Sequence, residues 1–215
     1  MFRVLVFDLD GTLVDSRRDI ADAANDLLAT YDAAPLDDET VVRMVGEGAR
    51  LLVSRVLAAR GIAADLEAAL ARFVELYERR LVDHTRPYPG VTEVLPVLAG
   101  RATLAVLTNK PQAAADRLLA ELGLARFFAR VVGGDTVLGR KPAPDGLQTI
   151  VSLAHAVPAA TLMVGDSWVD VETARRAGTR VCFAEYGFGA PPKEGLAEGE
   201  LRISRFDELL GIVGE

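Results

Sequence analysis

Positions 2–7 read Phe-Arg-Val-Leu-Val-Phe, an apolar and partly β-branched run that stops abruptly at Asp8. Such a run predicts a strand buried on both faces, so a carboxylate stands at a strand's carboxyl end. Runs at 103–107, 161–164 and 180–184 have the same character and end at Thr108-Asn109, Gly165-Asp166 and Glu185; a shorter one, 130–132, ends at Gly133-Gly134. Helical patterns lie between them at 111–122, opened by a first-turn proline and closed by Gly123, at 143–154, and at 169–177, closed by Gly178. Strands alternating with helices predict an α/β fold with a doubly wound, Rossmann-like parallel sheet. Ligands of such sheets bind beyond the carboxyl ends of the strands, where polar residues distant in sequence converge.

Residues 17–86 break the alternation. Ile20, Ala24, Leu27, Leu28 and Tyr31 keep helical spacing, as do Leu66, Leu70, Phe73, Val74, Tyr77 and Leu81. This pattern predicts an inserted α-helical cap over 17–86 and a core made of 1–16 and 87–215. Turn-like segments at Asp15-Ser16 and Tyr88-Pro89-Gly90 are suited to act as hinges between the two.

Composition narrows the class. The chain has 215 residues, 50% hydrophobic and 26% charged, enough for one core domain with a modest insertion. A net charge of -7 with no dense Lys/Arg cluster excludes a nucleic-acid binder by the usual electrostatic criterion. The apolar runs are too short to span a bilayer, so no membrane partner is expected and the expected compartment is the cytoplasm. Cys182 is the only cysteine and sits in an apolar run, where it reads as a core thiol.

The candidate chemistry begins with Asp8-Leu9-Asp10-Gly11-Thr12. Two carboxylates two residues apart at a strand end are costly unless a cation or a proton compensates them. An EF-hand loop also starts Asp-x-Asp, but it needs glycine at its sixth place and glutamate at its twelfth, where this chain has Leu13 and Asp19. A solvated turn would explain an isolated Asp-x-Asp, but three further motifs follow downstream. Thr108 and Asn109, just before a helix start, can donate to phosphate oxygens together with free backbone N–H groups, although such a pair also serves as a helix cap. Lys141 can hold a phosphate and offset clustered acids; lysine is scarce, found only at 110, 141 and 193. Asp166 and Asp170, four apart around a helix start, can face one point, and either also complements the helix dipole.

In this order the motifs Asp8-x-Asp10-Gly11-Thr12-Leu13-x-Asp15-Ser16, Thr108-Asn109, Lys141-Pro142 and Gly165-Asp166-x-x-x-Asp170 resemble those of the haloacid dehalogenase superfamily, and the helical insertion resembles that family's α-helical cap. The resemblance implies that Asp8 attacks phosphorus to form an aspartyl-phosphate, while Asp10 protonates the leaving alcohol and then deprotonates water. It implies a magnesium ion held by Asp8, the Asp10 main-chain carbonyl and Asp166, with Asp170 as an outer partner. Gly11, Thr12, Thr108, Asn109 and Lys141 would bind the phosphate.

Asp10 points to phosphate chemistry, since the dehalogenating members lack a carboxylate there. Members that cleave phosphonoacetaldehyde use a cap lysine, and this insertion has none. The segment from Val45 through Gly46, Glu47, Gly48 and Arg50 resembles the cap loop of the phosphoglycolate phosphatases in the family, as do Tyr88-Pro89-Gly90 and Tyr186-Gly187-Phe188-Gly189. That similarity implies hydrolysis of a small phosphate ester, 2-phosphoglycolate first, by a monomer or homodimer, with Glu47, Gly48 and Arg50 reading the substrate. A helix-to-helix turn with surface arginines is the competing reading of that loop. The alternative activities are a β-phosphoglucomutase-like mutase and a pyrophosphate or nucleotide phosphatase. A phospho-accepting receiver domain is the non-enzyme rival, against which the long insertion and Asp10 both count.

Overall fold

The computed structural model describes residues 1–138 and 140–214; positions 139 and 215, both assigned above to the core, lie outside the described residues. The chain runs β1 (Val4–Phe7), β2 (Val14–Asp15), α1 (Arg17–Ala29), α2 (Asp38–Val42), α3 (Ala49–Ala59), α4 (Leu66–Glu78) and β3 (Arg86–Pro87). It continues with α5 (Val91–Ala99), β4 (Thr103–Leu107), α6 (Gln112–Glu121), β5 (Arg130–Val132), α7 (Asp145–Leu153), β6 (Thr161–Gly165), α8 (Trp168–Ala177), β7 (Arg180–Ala184), β8 (Leu201–Ile203) and α9 (Leu209–Val213).

The described residues form one six-stranded sheet in the order β5-β4-β1-β6-β7-β8, with every neighbouring pair parallel. A central strand covered by helices on both faces must be apolar on both, and β1 is fully buried. Its alternate residues serve opposite layers. Leu5 and Phe7 join the cluster that contains Leu95 and Leu118, whereas Val4 and Val6 join the one that contains Leu147, Ile150 and Val171. The first cluster runs on into the helical insertion through Leu27, Val53 and Phe73, so sheet and insertion share one continuous apolar core.

Register sets the positions of the polar ends. Phe7 lies opposite Val106 on β4 and Val164 on β6, so Asp8, Thr108 and Asp166 emerge at the same edge of the sheet. The chain enters and leaves the insertion through β2 and β3, which pair antiparallel with Val14 opposite Pro87 and Asp15 opposite Arg86. Helices α2 and α4 begin with aspartate caps: Asp37 accepts from the Thr40 N–H and Asp65 from the Ala68 N–H, both at 2.8 Å.

Three details depart from the expectations. The first strand starts at Val4, not Phe2. Tyr31 lies beyond the end of α1 and is exposed, so it is not part of that helix's apolar stripe. The helix α5 was not expected because Pro96 sits inside it, a residue that ordinarily removes a helix hydrogen bond. Helix α5 buries Val91, Val94, Leu95 and Leu98, and this packing outweighs the loss.

Candidate active site

Asp8 follows β1 directly, and its N–H extends the sheet by donating to the Val164 carbonyl at 2.9 Å. Its Oδ1 accepts from the Leu9 N–H at 2.7 Å and lies 2.8 Å from Lys141 Nζ. Among the described residues nothing donates to Oδ2. Burial pushes the Asp8 carboxyl up to about 6, against the opposing pull of the Lys141 ammonium.

Lys141 is buried and spans two acids, lying 2.6 Å from Asp170 Oδ1 as well as 2.8 Å from Asp8. Burial alone would discharge it, yet Asp170 and Asp8 outweigh burial and hold it protonated well above the usual lysine range. The other oxygen of Asp170 accepts from the Ser167 N–H at 3.0 Å and from the Ser167 hydroxyl at 2.6 Å, forming the capping box that opens α8. Asp170 therefore has all its oxygens engaged by protein donors and braces Lys141.

Asp166 is placed differently. Its Oδ2 accepts from the N–H groups of Phe188 and Gly189 at 3.0 and 2.7 Å, while among the described residues its Oδ1 has only the Thr12 hydroxyl at 3.5 Å. Burial, followed by the neighbouring Asp170 and Asp8 carboxylates, drives its carboxyl well above the ordinary range. Gly11 is required beside it: its φ is +88°, and a Cβ there would stand 2.0 Å from Asp166 Oδ2.

Carboxylate oxygens of Asp8, Asp166 and Asp170 lie within 4.8 Å of one another, with Lys141 the cation bonded among them. Three buried acids against one lysine leave uncompensated negative charge, and an incompletely paired buried carboxylate costs several kcal/mol. The donors are hard oxygens, and Asp8 and Asp166 each keep an oxygen that the protein does not saturate. This set fits a divalent cation of the magnesium type.

Asp10 projects from the turn after β1. Its Oδ1 accepts from the Ser16 hydroxyl at 2.6 Å, and both of its oxygens accept from Lys110 Nζ at 2.9 Å. The same ammonium donates to the Tyr77 hydroxyl of α4 at 2.6 Å and lies 4.5 Å from that ring's centre. Lys110 and Tyr77 were not singled out from the sequence. The scarcity of lysine that favoured position 141 applied equally to 110, whereas Tyr77 was indistinguishable from the apolar stripe of its helix.

The phosphate-binding candidates divide. Thr108 is buried, and its Oγ1 accepts from the Lys110 N–H at 3.2 Å. Asn109 Nδ2 donates to the carbonyls of Gly46 at 3.0 Å and Lys141 at 3.1 Å, so the amide's orientation is settled by two acceptors, and its buried Oδ1 has no partner among the described residues. Thr12 is buried against Asp166 and its carbonyl accepts from the Tyr186 hydroxyl at 2.9 Å.

A cleft opens between these groups and the insertion, lined by Asp8, Asp10, Thr108, Asn109, Lys110 and Asp166 on one side. Ile20, Val45, Leu52, Phe73 and Val74 form its apolar wall, and Gly48 also borders it. Glu47 and Arg50 do not. Glu47 pairs with Arg55, Arg50 pairs with Glu67, and both line a separate surface depression beside Pro142. Of the three loop residues expected to read the substrate, only Gly48 is brought to the cleft.

Comparison with known proteins agrees with this arrangement. Residues 5–184 match the model of the haloacid dehalogenase-like hydrolase family. A phosphoglycolate phosphatase of Rhodospirillum rubrum is 45% identical over 220 residues, covering 99% of this chain and 90% of its own. Phosphoglycolate phosphatase 1 of Pseudomonas aeruginosa is 41% identical over 194 residues, 86% of this chain and 70% of its own. A crystal structure described as a predicted phosphoglycolate phosphatase from Haemophilus somnus superposes with a TM-score of 0.91 at 27% identity, covering 99% of this chain and 98% of that one. The chain belongs to the haloacid dehalogenase-like hydrolase family.

Proposed function

We propose that the protein is a magnesium-dependent phosphatase that hydrolyses 2-phosphoglycolate through an aspartyl-phosphate on Asp8, with residues 17–86 acting as a cap over the site. Phosphatase activity on phosphomonoesters follows from the family and from its curated relatives. The observation that carries the mechanism is the pair of Asp8 oxygens: Oδ1 is fixed by Leu9 and Lys141 while Oδ2 is left without a donor among the described residues, and Asp8 lines the cleft together with Asp10.

Asp8 Oδ2 attacks phosphorus as the bond from phosphorus to the leaving oxygen breaks, and Asp10 delivers a proton to that oxygen. Asp10 then takes a proton from water, the water oxygen attacks phosphorus, and the bond to Asp8 breaks to release inorganic phosphate. Lys141 holds Asp8 in position and stabilises charge on the transferring group, while Thr108, which lines the cleft beside Asp8, can turn its hydroxyl toward a phosphoryl oxygen. Magnesium, held by Asp8, Asp166 and the Asp10 carbonyl, would neutralise phosphate charge.

The substrate assignment is supported by the names of the relatives and by the shape of the cleft. The apolar wall of Ile20, Val45, Leu52, Phe73 and Val74 leaves few partners for the hydroxyls of a sugar ring, which favours a small ester over a hexose phosphate. No helix among the described residues is long and apolar enough to cross a membrane, and nothing opposes a freely diffusing small substrate. A panel of phosphate esters assayed with and without magnesium, using wild type and Asp8→Asn, tests the reading. Magnesium-dependent phosphate release, fastest with 2-phosphoglycolate and absent in Asp8→Asn, is expected. Undiminished turnover by Asp8→Asn would overturn the mechanism, and faster release from a sugar phosphate would overturn the substrate.

A further inference from the structure

With Arg50 paired to Glu67 on the outer surface, the expected cationic reader of an acidic substrate is not at the cleft. The described Asp, Glu, His, Lys and Arg residues that line the cleft are Asp8, Asp10, Glu78, Asp166 and Lys110, so Lys110 is the single cation among them. An ester bearing its own carboxylate would meet net negative charge there, and a like-charged contact in a partly dry cleft is strongly unfavourable.

We infer that Lys110, steadied from the insertion by the Tyr77 hydroxyl, is the specificity-determining residue that receives the substrate's carboxylate; this rests on the reading of the site as one for a short carboxylated phosphate ester. Two geometric facts place it there. First, Asp10 must touch the leaving oxygen, and Lys110 Nζ lies 2.9 Å from both Asp10 oxygens. In a two-carbon ester such as phosphoglycolate a single methylene separates the leaving oxygen from the carboxylate, so a cation beside Asp10 is beside that carboxylate. Second, the ammonium spends two of its three protons on one acid and the third on Tyr77 at 2.6 Å. One contact suffices to hold Asp10, and the other is exchangeable for a substrate oxygen without leaving any buried group unpaired.

The apolar wall complements this role. Phe73 and Val74, from the same helix as Tyr77, line the cleft together with Ile20, Val45 and Leu52, so a longer tail would lie largely against apolar side chains. Selection for a short acid thus comes from one positive contact and from the absence of others. Tyr77 joins α4 to the residue that reads the substrate, and the stacked ring of Phe73, 6.0 Å away, holds it in place.

The test compares 2-phosphoglycolate with ethyl phosphate, which has the same length but no carboxylate, in the magnesium-loaded wild type, Lys110→Met, Lys110→Arg and Tyr77→Phe. Because Lys110 also positions Asp10, kcat falls on both substrates in Lys110→Met; the ratio of kcat/KM between them cancels that shared loss. The wild type favours the carboxylated ester, Lys110→Met lowers the ratio by at least about 30-fold, largely through KM, Lys110→Arg restores part of it, and Tyr77→Phe lowers it several-fold. Wild-type preference that persists within about threefold in Lys110→Met would overturn this inference and leave the substrate reading intact. A wild type with no preference for the carboxylated ester would overturn both, with the phosphatase assignment unaffected. Should Lys110→Met fail to fold, an unchanged ratio in Tyr77→Phe and Lys110→Arg overturns the inference in its place.

Discussion

The wholly buried carboxylate of Asp19, on the first turn of α1, accepts hydrogen bonds from the N–H and the hydroxyl of Thr85 at 2.8 and 2.7 Å, although the two residues are 66 positions apart. The N–H of His84 also donates to it at 3.0 Å. Asp19 thus ties the start of the helical insertion to its exit, next to the paired strands β2 and β3. Replacing it with alanine leaves the Thr85 N–H without an acceptor, and a hydrogen bond to a charged group contributes about 1.5–3 kcal/mol. Asp19→Ala is expected to lose about 3 kcal/mol in urea unfolding; a loss below about 0.5 kcal/mol, within the range of an ordinary surface substitution, would contradict the role.

The same carboxylate gives a pH dependence. Burial raises its pKa, but donation from Thr85 and His84 outweighs burial and leaves it below the ordinary value. A group whose pKa is depressed by folding stabilises the fold above its unfolded pKa, about 3.9 for aspartate, and that stabilisation is lost as pH falls through the folded pKa. The stability difference between wild type and Asp19→Asn is therefore constant near neutral pH and shrinks below about pH 4. A difference that stays constant down to pH 2 would show that the ionised carboxylate is not what the donors hold.

Arg50→Ala is expected to leave kcat/KM for 2-phosphoglycolate within about twofold of wild type and stability within about 1 kcal/mol, because its exposed pair with Glu67 is the kind that contributes little. A selective loss on the carboxylated substrate would restore Arg50 as a reader and require the loop to turn inward.

Gly11→Ala combines a left-handed backbone, which costs about 1–2 kcal/mol with a side chain, with a Cβ 2.0 Å from Asp166. The displaced carboxylate would weaken the cation site proposed at Asp8 and Asp166. Magnesium affinity, read from the dependence of activity on metal concentration, is expected to fall by about 10-fold or more, with helical content retained in circular dichroism. Unchanged affinity would contradict the placement of Asp166.

The sheet was legible because a strand covered on both faces leaves a continuous apolar run, as at Thr103–Leu107 and Arg180–Ala184, whose bounds agree with the sequence expectation. Helix α5 was hidden by Pro96, whose local preference is overridden by burial of its neighbours. The short edge strand β8, Leu201-Arg202-Ile203, was hidden by its length, since three residues with one exposed arginine leave no apolar run. Within the site, Asp8 and Asp10 stood out because paired acids at a strand end need compensation, and Asp166 and Asp170 because their spacing around a helix start lets them face one point; the structure brings Asp8, Asp166 and Asp170 together. Lys110 and Tyr77 did not stand out, since their meaning comes only from packing α4 against the core. The outward turn of Arg50 and Glu47 had the same origin: the loop pattern does not reveal that a helix starts at Ala49, nor which neighbour, Glu67 or the cleft, its flanking side chains will meet.

The most direct test of Asp8 as nucleophile is mass analysis of acid-quenched enzyme during turnover of 2-phosphoglycolate with magnesium. A phosphoryl adduct on the peptide containing Asp8, accumulating further in Asp10→Ala and absent from Asp8→Asn, is expected. Steady turnover with no adduct on that peptide in either wild type or Asp10→Ala, or an adduct that survives in Asp8→Asn, would contradict it.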